Sequence, residues 1–226
     1  MAPVITIDGP SGSGKGTISQ LLAHRLGFHF LDSGALYRLT ALAASKQGVS
    51  WDDAATVAKL AGRMEVKFKI AGERVVVLLD GEDATDAIRK EKMSLGSSTV
   101  AAHPGVRTAL LSLQKSFQQP PGLVADGRDM GTTVFPRATA KIFLTASAEE
   151  RALRRYKQLM DKGESVSLRA LLKDIQARDE RDSQRAVSPL KPADDALLLD
   201  STQLSIVEVL DQAMDYVARR GIAPAK

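Results

Sequence analysis

The sequence contains no cysteine, and this absence removes several classes of function. Without thiols, the chain of 226 residues has no disulfide, no thiolate metal site and no cysteine nucleophile. Asparagine is absent too, so the N-K-x-D motif with which switch GTPases recognise guanine is impossible. Imidazole ligands are few, since the three histidines, His24, His29 and His103, show no metal-ligand spacing.

Aromatic residues and long apolar runs are also scarce. The aromatic side chains (six Phe, three Tyr, one Trp) form no visible stacking platform, and the net charge of +4 is not concentrated in a tail. No apolar run approaches the length that spans a membrane, and the first strand begins too early to leave room for a signal peptide. We therefore expect a soluble, cytoplasmic monomer that binds small anions and neither nucleic acid nor membrane.

The most informative stretch is VITIDGPSGSGKGT, near the start of the chain. Val4, Ile5 and Ile7 form an apolar run typical of a buried parallel strand, and ISQLLAHRL has the apolar spacing of a helix. The residues between them fit G-x-x-x-x-G-K, a loop whose backbone N–H groups surround a polyphosphate at a helix N-terminus. The pattern predicts phosphate binding by Gly9, Pro10, Ser11, Gly12, Ser13, Gly14, Lys15, Gly16 and Thr17.

Two other interpretations of this loop are less favourable. Asp32 lies twenty residues after Gly12, as in a dinucleotide fingerprint, but Thr17 stands where that fingerprint needs Gly or Ala. An ATP-dependent nucleic-acid motor needs a second core domain, and none is evident.

The 44% hydrophobic content predicts one α/β core with an inserted subdomain.

Apolar runs later in the chain predict the rest of the sheet. We expect core strands at residues 4–7, 28–31, 123–125, 142–144 and 197–199. The pattern changes at residues 64–85, where Val66, Phe68 and Ile70 alternate with charged residues before the turn AGER. This alternation predicts an inserted antiparallel hairpin. Residue patterns typical of a helix resume at Asp86, and a more clearly predicted helix begins at Pro104.

Charged residues follow the third core strand at the point where that strand ends. Ligands of open α/β sheets collect outside the carboxyl ends of strands, so Asp126, Arg128 and Asp129 are expected to face the binding crevice. A carboxylate at this position can order Mg²⁺-bound water beside a phosphate loop. We therefore predict that Asp126 contacts the metal through water.

Two arginine-rich helices are predicted to form a lid. Arg151, Arg154 and Arg155 share one helix face, and Arg178, Arg181, Asp182 and Arg185 recur on a second helix from about Leu168. The glycine-containing joint KGESVS connects the two helices, an arrangement typical of a segment that closes on a phosphate ligand.

Helix caps are predicted at two further places. Ser147 with Glu150 and Ser205 with Glu208 have the spacing of capping boxes. In the last helix, Ile206, Leu210, Ala213 and Val217 are expected to face inward.

Assembled in this way, the sequence resembles the bacterial cytidylate kinase family nearly from end to end. The resemblance is carried by GPSGSGKGT at residues 9–17, LDSGALYR at 31–38, ADGRDMGTTVFP at 125–136 and RDERDSQRAVSPL at 178–190. It implies a five-stranded parallel sheet with helices on both faces, a small antiparallel insertion and a helical lid. It also implies a single domain, in which residues 33–102 bind the acceptor and residues from about 150 to 166 form the lid.

The resemblance further implies a reaction and a set of roles. ATP, with Mg²⁺ as cofactor, would phosphorylate CMP or dCMP; the serious alternative is a small-molecule kinase of the shikimate type. Thr17 would hold the metal, because the G-K-G-T variant is associated with nucleoside monophosphate kinases. The acceptor would be bound by Ser33, Tyr37, Arg38, Ser98, Arg107, Arg128, Asp129, Arg178, Asp182 and Arg185. Catalysis would depend on Lys15, Arg128, Arg154 and Arg185.

Within that acceptor set, the resemblance assigns parts. Arg38, Arg128 and Arg185 would hold the monophosphate, and Arg178 and Asp182 would contact the sugar. Ser98, Arg107 and Asp129 would recognise cytosine, with Ser33 and Tyr37 nearby. The plainer alternative for Asp129 is that it only braces Arg128 within the loop.

Overall fold

The computed structural model describes residues 2–71, 74–185 and 187–224, which form two sheets and the helices around them. The strands are β1 (Val4–Asp8), β2 (His29–Asp32), β3 (Val66–Ala71), β4 (Arg74–Leu79), β5 (Glu82–Asp83), β6 (Leu123–Gly127), β7 (Ala140–Thr145) and β8 (Leu197–Asp200). The helices are α1 (Lys15–Leu26), α2 (Ser33–Lys46), α3 (Ala54–Ala61), α4 (Glu91–Ala101), α5 (Pro104–Ser116), α6 (Ala148–Met160), α7 (Leu168–Ser183) and α8 (Ile206–Arg219). Within the described part of the chain, none of these helices has the length and apolar character that a bilayer crossing requires.

The large sheet is parallel throughout and has the order β2-β6-β1-β7-β8, which confirms the predicted fold class. Its central strands β1 and β6 are buried along their whole length because helices cover both faces. In the register, Asp32 lies opposite Asp126, and Asp8 lies opposite Gly127. The carboxyl ends of three neighbouring strands therefore bring acidic side chains to one edge of the sheet.

The inserted subdomain is an antiparallel sheet, as predicted, with one strand more than a hairpin. β3 pairs with β4, and the short β5 adds a third strand. The central residues of the expected AGER turn, 72 and 73, lie outside the described residues. Phe68 packs between Phe30 and Phe117, at ring-centroid distances of 5.9 and 5.5 Å, and so anchors the insertion to the main core.

Two predicted element starts are wrong by a few residues. Gly27 ends α1 in the left-handed conformation, at φ 66°, and the N–H of Phe28 still donates to the Ala23 carbonyl at 2.9 Å. The second strand therefore begins one residue later than predicted. After Asp86 the chain forms one 3₁₀ turn (Ala87–Arg89) before a regular helix begins at Glu91.

One predicted cap is confirmed and the other is incomplete. The Ser205–Glu208 capping box is present in both directions. At the start of α6, the Ser147 hydroxyl accepts the Glu150 N–H at 3.1 Å, but the return bond is absent. Other partners replace it, because the Glu150 carboxylate pairs with Arg154 of the same helix at 2.9 Å and the Ser147 N–H donates to the distant Thr202.

The predicted inward face of the last helix is wrong at its first residue. Leu210, Ala213 and Val217 are buried, whereas Ile206 is 56% exposed. Ile206 instead lines a cavity beside the phosphate loop, which is part of the candidate site described below.

Candidate active site

Two cavities open at the carboxyl edge of the large sheet. The first has a volume of about 50 Å³, and its lining is mostly polar. The second has a volume of about 560 Å³ and extends from the phosphate loop to α8. We name them the acceptor cavity and the donor cavity. The acceptor cavity is lined by Ser33, Gly34, Tyr37, Arg38, Ser97, Ser98, Ala101, Arg107, Gly127, Arg128, Asp129, Arg178 and Arg185.

The phosphate loop forms one wall of the donor cavity through residues 12–17, whereas Gly9 serves the geometry of the loop. A Cβ added at Gly9 would lie 2.0 Å from the Leu144 carbonyl oxygen, so only glycine allows β1 and β7 to approach so closely there. The Lys15 ammonium donates to the Pro10 carbonyl at 3.3 Å. Burial lowers the pKa of Lys15, and the Asp126 carboxylate opposes that change.

Lys15 also connects the two cavities electrostatically. It lines the donor cavity, yet the charges that act on the pKa of its ammonium include Arg128 and Arg178, both of which line the acceptor cavity. A phosphoryl group that passes from one cavity to the other would travel beside this cation.

The far end of the donor cavity is formed by residues that the sequence analysis missed. Ser201, Leu204, Ile206 and Val209, around the start of α8, line it together with Arg154 and Arg155 of α6. Leu204, Ile206 and Val209 give this part of the cavity an apolar lining, which no local motif predicts. Arg154 Nη1 reaches the Ser13 carbonyl at 3.4 Å, which holds the predicted catalytic arginine against the phosphate loop.

A carboxylate at the end of β6 faces the start of α1. A Cβ added at Gly16 would lie 3.3 Å from Asp126 Oδ2, which places that carboxylate next to the G-K-G-T segment. Burial, with repulsion from Asp32 and Asp8, raises the pKa of Asp126 from 3.8 to about 7, although Lys15 and Arg128 oppose the rise. A cation placed beside Asp126 would return the carboxyl to its charged form.

The donor set at this point fits Mg²⁺. Thr17 is exposed and lines the donor cavity, and Asp126 lies next to Gly16, so a hydroxyl and a carboxylate of the kind that Mg²⁺ prefers lie near the start of α1. Among the described residues, no three His, Cys, Asp or Glu side chains form a metal-binding group. Mg²⁺ commonly takes one or two protein oxygens and completes its shell with water and substrate phosphates, which matches this sparse set.

Asp8 was not singled out from the sequence, yet it supports the loop after β6. It is buried at the end of β1, and its carboxylate accepts the N–H groups of Met130 and Gly131, each at 2.8 Å. Burial raises its pKa to about 7, although the two hydrogen bonds oppose the rise. Asp8 thereby fixes the turn Met130–Val134, which directly follows Arg128 and Asp129.

The acceptor cavity brings together almost all of the residues predicted for it, and its charges are paired in a defined way. Arg107 donates to Asp129 at 2.8 Å, and Arg38 donates to Asp32 at 3.0 Å. Arg107 also lies over the Tyr37 ring, 5.9 Å from its centroid. The partner of Arg128 is Asp182, so the plainer alternative for Asp129, a brace for Arg128, does not match the geometry.

Asp182 lies behind the acceptor cavity. Its side chain is 3% exposed; Oδ2 accepts from Arg128 Nε, and Oδ1 forms an ion pair with Arg185 Nη2 at 2.6 Å. A buried carboxylate in this position orients both guanidinium groups toward the cavity. Its predicted contact with the sugar stays a prediction.

Arg178 is the exception to this pairing. Within residues 2–71, 74–185 and 187–224, its side chain has neither a hydrogen-bond partner nor an ion-pair partner, although it lines the acceptor cavity and is only partly exposed. Burial and the neighbouring Arg128 lower its pKa to about 10. The next predicted member of the stripe, Arg181, is exposed and lines neither cavity.

The predicted cationic face of α6 is divided among different environments. Arg155 is exposed, Arg154 is half-buried against the phosphate loop, and the Arg151 side chain is 5% exposed and pairs with Asp179 of α7. Arg151 is therefore a structural link between elements rather than part of an open cationic surface. Asp179 was not singled out from the sequence.

The site can be set beside known proteins. A family model described as cytidylate kinase matches residues 5–219. A cytidylate kinase from Stutzerimonas stutzeri is 60% identical and covers 98% of this chain and 97% of its own length. One from Aeromonas hydrophila is 57% identical, over 97% of this chain and 96% of its own length. The crystal structure of an uncharacterized protein from Eubacterium ventriosum has a TM-score of 0.52 at 8% identity, over 96% of this chain and 98% of that chain, a likeness of fold alone.

Proposed function

Because the chain belongs to the cytidylate kinase family, we propose that its two cavities transfer the γ-phosphoryl group of ATP to CMP or dCMP, releasing ADP and CDP or dCDP. The match extends over residues 5–219 and favours this reaction over the shikimate-type alternative. We assign ATP to the donor cavity because the phosphate loop forms one of its walls. CMP then occupies the acceptor cavity.

The observation that carries this assignment is the excess of arginine in the acceptor cavity. Five guanidinium groups line it, from Arg38, Arg107, Arg128, Arg178 and Arg185, against the single carboxylate of Asp129. Arg178, for which the resemblance implied a contact with the sugar, makes no ion pair among the described residues, so we assign it to the bound monophosphate as well. Planar guanidinium groups suit this task because they bind phosphate oxygens in pairs.

The Arg107–Asp129 pair is assigned to the cytosine base. The carboxylate accepts from the N4 amino group, and the arginine donates to N3 or O2. Uracil presents the opposite polarity at this edge, so Asp129 would face O4 and both groups would be left unpaired. Ser98, Ser33 and Tyr37 line the same cavity and are assigned to the base and its surroundings.

Catalysis in this proposal depends on position and charge. The attacking group is a phosphate oxygen that is already anionic, so a strong general base is unnecessary. Lys15 and Arg154 stabilise the charge on the transferred group, and Arg128 and Arg185 orient the acceptor phosphate. Thr17 and Asp126, the latter through water, would hold the Mg²⁺ ion, which would supply further neutralisation of phosphate charge.

We further infer which segment binds the acceptor and which segment closes over the nucleotides. Residues 33–102 form the acceptor-binding region, and residues 150–166 form a lid that excludes water when both nucleotides are bound. The support is the exposed joint between α6 and α7, which contains Gly163 at φ 77°. The cytoplasmic location and the monomeric state stay predictions.

The test combines a panel of acceptors with a matched pair of variants. ADP release is measured with CMP, dCMP, UMP, AMP and shikimate, and we expect CMP and dCMP to be the preferred acceptors. Arg178→Ala should raise the KM for CMP about 10- to 100-fold, since hydrogen bonds to charged groups contribute about 1.5–3 kcal/mol. Arg181→Ala, one turn further along α7, is the control and should leave the KM unchanged. Equal KM values in the two variants would contradict the acceptor assignment.

A further inference from the structure

We infer that the ion pair between Arg151 and Asp179 couples the two nucleotide sites, so that binding of ATP strengthens binding of CMP and the reverse. The inference rests on the proposed function and adds two positioning residues to it. Arg151 borders the donor cavity, but all three of its guanidinium nitrogens are already bound to protein groups.

The geometry of Arg151 joins three segments at one point. Its Nε donates to the Ala146 carbonyl at 2.9 Å, and Nη1 donates to the Ser11 carbonyl in the phosphate loop at 3.1 Å. The same Nη1 and Nη2 donate to the two carboxylate oxygens of Asp179, at 3.0 and 2.5 Å. This parallel pair of hydrogen bonds has the fork geometry that fixes orientation as well as distance.

The phosphate loop also rests directly on this residue. A Cβ added at Gly12 would lie 3.3 Å from the Cβ of Arg151, and Gly12 has a φ of 79°, which favours glycine. The tip of the loop therefore packs against the first turns of α6. A displacement of α6 at Arg151 must displace the loop that holds the ATP phosphates.

On the other side of the pair, α7 carries the acceptor residues. Arg178, which lines the acceptor cavity, is the neighbour of Asp179 in the chain. Asp182 lies almost one turn further along the same helix and holds Arg128 and Arg185. Because a helix moves as a rigid body, the position of Asp179 relative to Ser11 sets the position of the acceptor arginines relative to the phosphate loop.

A purely structural role would have a different signature. If the pair only held α6 against α7, its loss would lower the stability of the protein and weaken the binding of both nucleotides. The factor by which one bound nucleotide raises the affinity for the other would stay unchanged. Coupling between two sites is that factor, and it must be the same in both directions. The measurement therefore has to be a ratio of binding constants.

The experiment measures CMP binding to the full-length protein by calorimetry, alone and with a saturating β,γ-imido analogue of ATP and MgCl₂. We expect the analogue to lower the Kd for CMP about 10-fold in the unmodified protein, within the usual range of such couplings. In Asp179→Asn the ratio of the Kd without the analogue to the Kd with it should fall to about 3 or less, while each nucleotide still binds on its own. Arg151→Lys keeps the charge but loses the fork, and should reduce the ratio similarly.

Two comparisons make the result decisive. Asp195→Asn removes a carboxylate that pairs with Lys141 and lines neither cavity, and it should keep the full ratio. The double variant Arg151→Lys/Asp179→Asn should lose no more coupling than either single variant, because both act through one bond. Should Asp179→Asn not fold, Arg151→Lys carries the test.

The outcomes separate this inference from the proposed function. The inferred coupling is overturned if Asp179→Asn or Arg151→Lys keeps the same ratio of Kd values as the unmodified protein. It is also overturned if the ratio in the double variant falls by the product of the two reductions seen in the single variants. Failure of the unmodified protein to bind CMP at all would instead overturn the assignment of the acceptor cavity.

Discussion

Asp8 and Gly131 are joined across the carboxyl edge of the sheet, where Asp8 Oδ2 accepts the backbone N–H of Gly131 at 2.8 Å. The other oxygen of Asp8 accepts from Met130 at the same distance. Since Asp8 directly precedes the phosphate loop and Met130 directly follows Asp129, one buried carboxylate connects the donor loop with the acceptor loop.

Asp8→Asn tests this connection. The amide has the shape of the carboxylate but only one accepting oxygen, so one backbone N–H loses its partner, at a cost of about 1–3 kcal/mol. We expect the KM for CMP to rise about 10-fold, while the KM for ATP changes much less. Asp195→Asn is the matched control. Equal rises in both KM values would show that Asp8 supports the whole edge of the sheet and not the acceptor loop in particular.

Lys15→Ala tests the phosphate loop. The loss of a cation that stabilises the transition state should cost several kcal/mol, hence on the order of 10³-fold or more in kcat, with the fold intact by circular dichroism. Lys115→Ala, an exposed lysine of α5 that lines neither cavity, should keep the full rate. Near-normal turnover in Lys15→Ala would contradict the assigned role.

The joint between α6 and α7 tests the lid. Lys162 is exposed beside Gly163 and offers a trypsin site. Cleavage there should slow when a bisubstrate analogue fills both cavities, because closure would order the joint. An unchanged cleavage rate with the analogue bound would argue that residues 150–166 do not close.

Base selection should depend on Asp129. In Asp129→Ala, kcat/KM should fall much further for CMP than for UMP, since the lost carboxylate accepts from the N4 amino group of cytosine and uracil offers no such donor. Leaving buried polar groups unmatched costs roughly 1–3 kcal/mol each, or about 5- to 150-fold. Arg107→Ala should also reduce kcat/KM for CMP, because Arg107 holds Asp129 at 2.8 Å. Parallel losses for CMP and UMP in Asp129→Ala would assign Asp129 to scaffolding.

The buried Asp126 predicts how stability depends on pH. Its pKa is raised from 3.8 to about 7 in the folded state, so between these values the folded protein holds a proton that the unfolded chain has released. The stabilisation of the folded state by this bound proton is fully present below about pH 4 and is lost as the pH rises through 7. It amounts to about 1.4 kcal/mol per unit of pKa difference between the folded and unfolded states. Between pH 5 and pH 8, the nucleotide-free protein should lose more free energy of unfolding than Asp126→Asn, as measured by urea titration. Equal losses would mean that Asp126 is charged throughout.

The sequence alone determined the elements that local interactions form. A strand, glycine loop and helix follow one another within residues 4–26 because backbone sterics and nearby hydrogen bonds fix them. The capping box at Ser205 and Glu208 is equally local. The antiparallel insertion could be predicted from alternation of apolar residues over a few positions, except for its short third strand.

Only the tertiary structure decided which charged groups meet. Asp182 of α7 accepts from Arg128, which directly follows β6, although 54 residues separate them in the chain. Arg151 was predicted to share an open cationic face, but it is buried against Asp179, 28 residues away. The residues of α8 that close the donor cavity lie some 190 positions after the phosphate loop. Such contacts depend on strand order and on helix packing, and neither is encoded in the spacing of neighbouring residues.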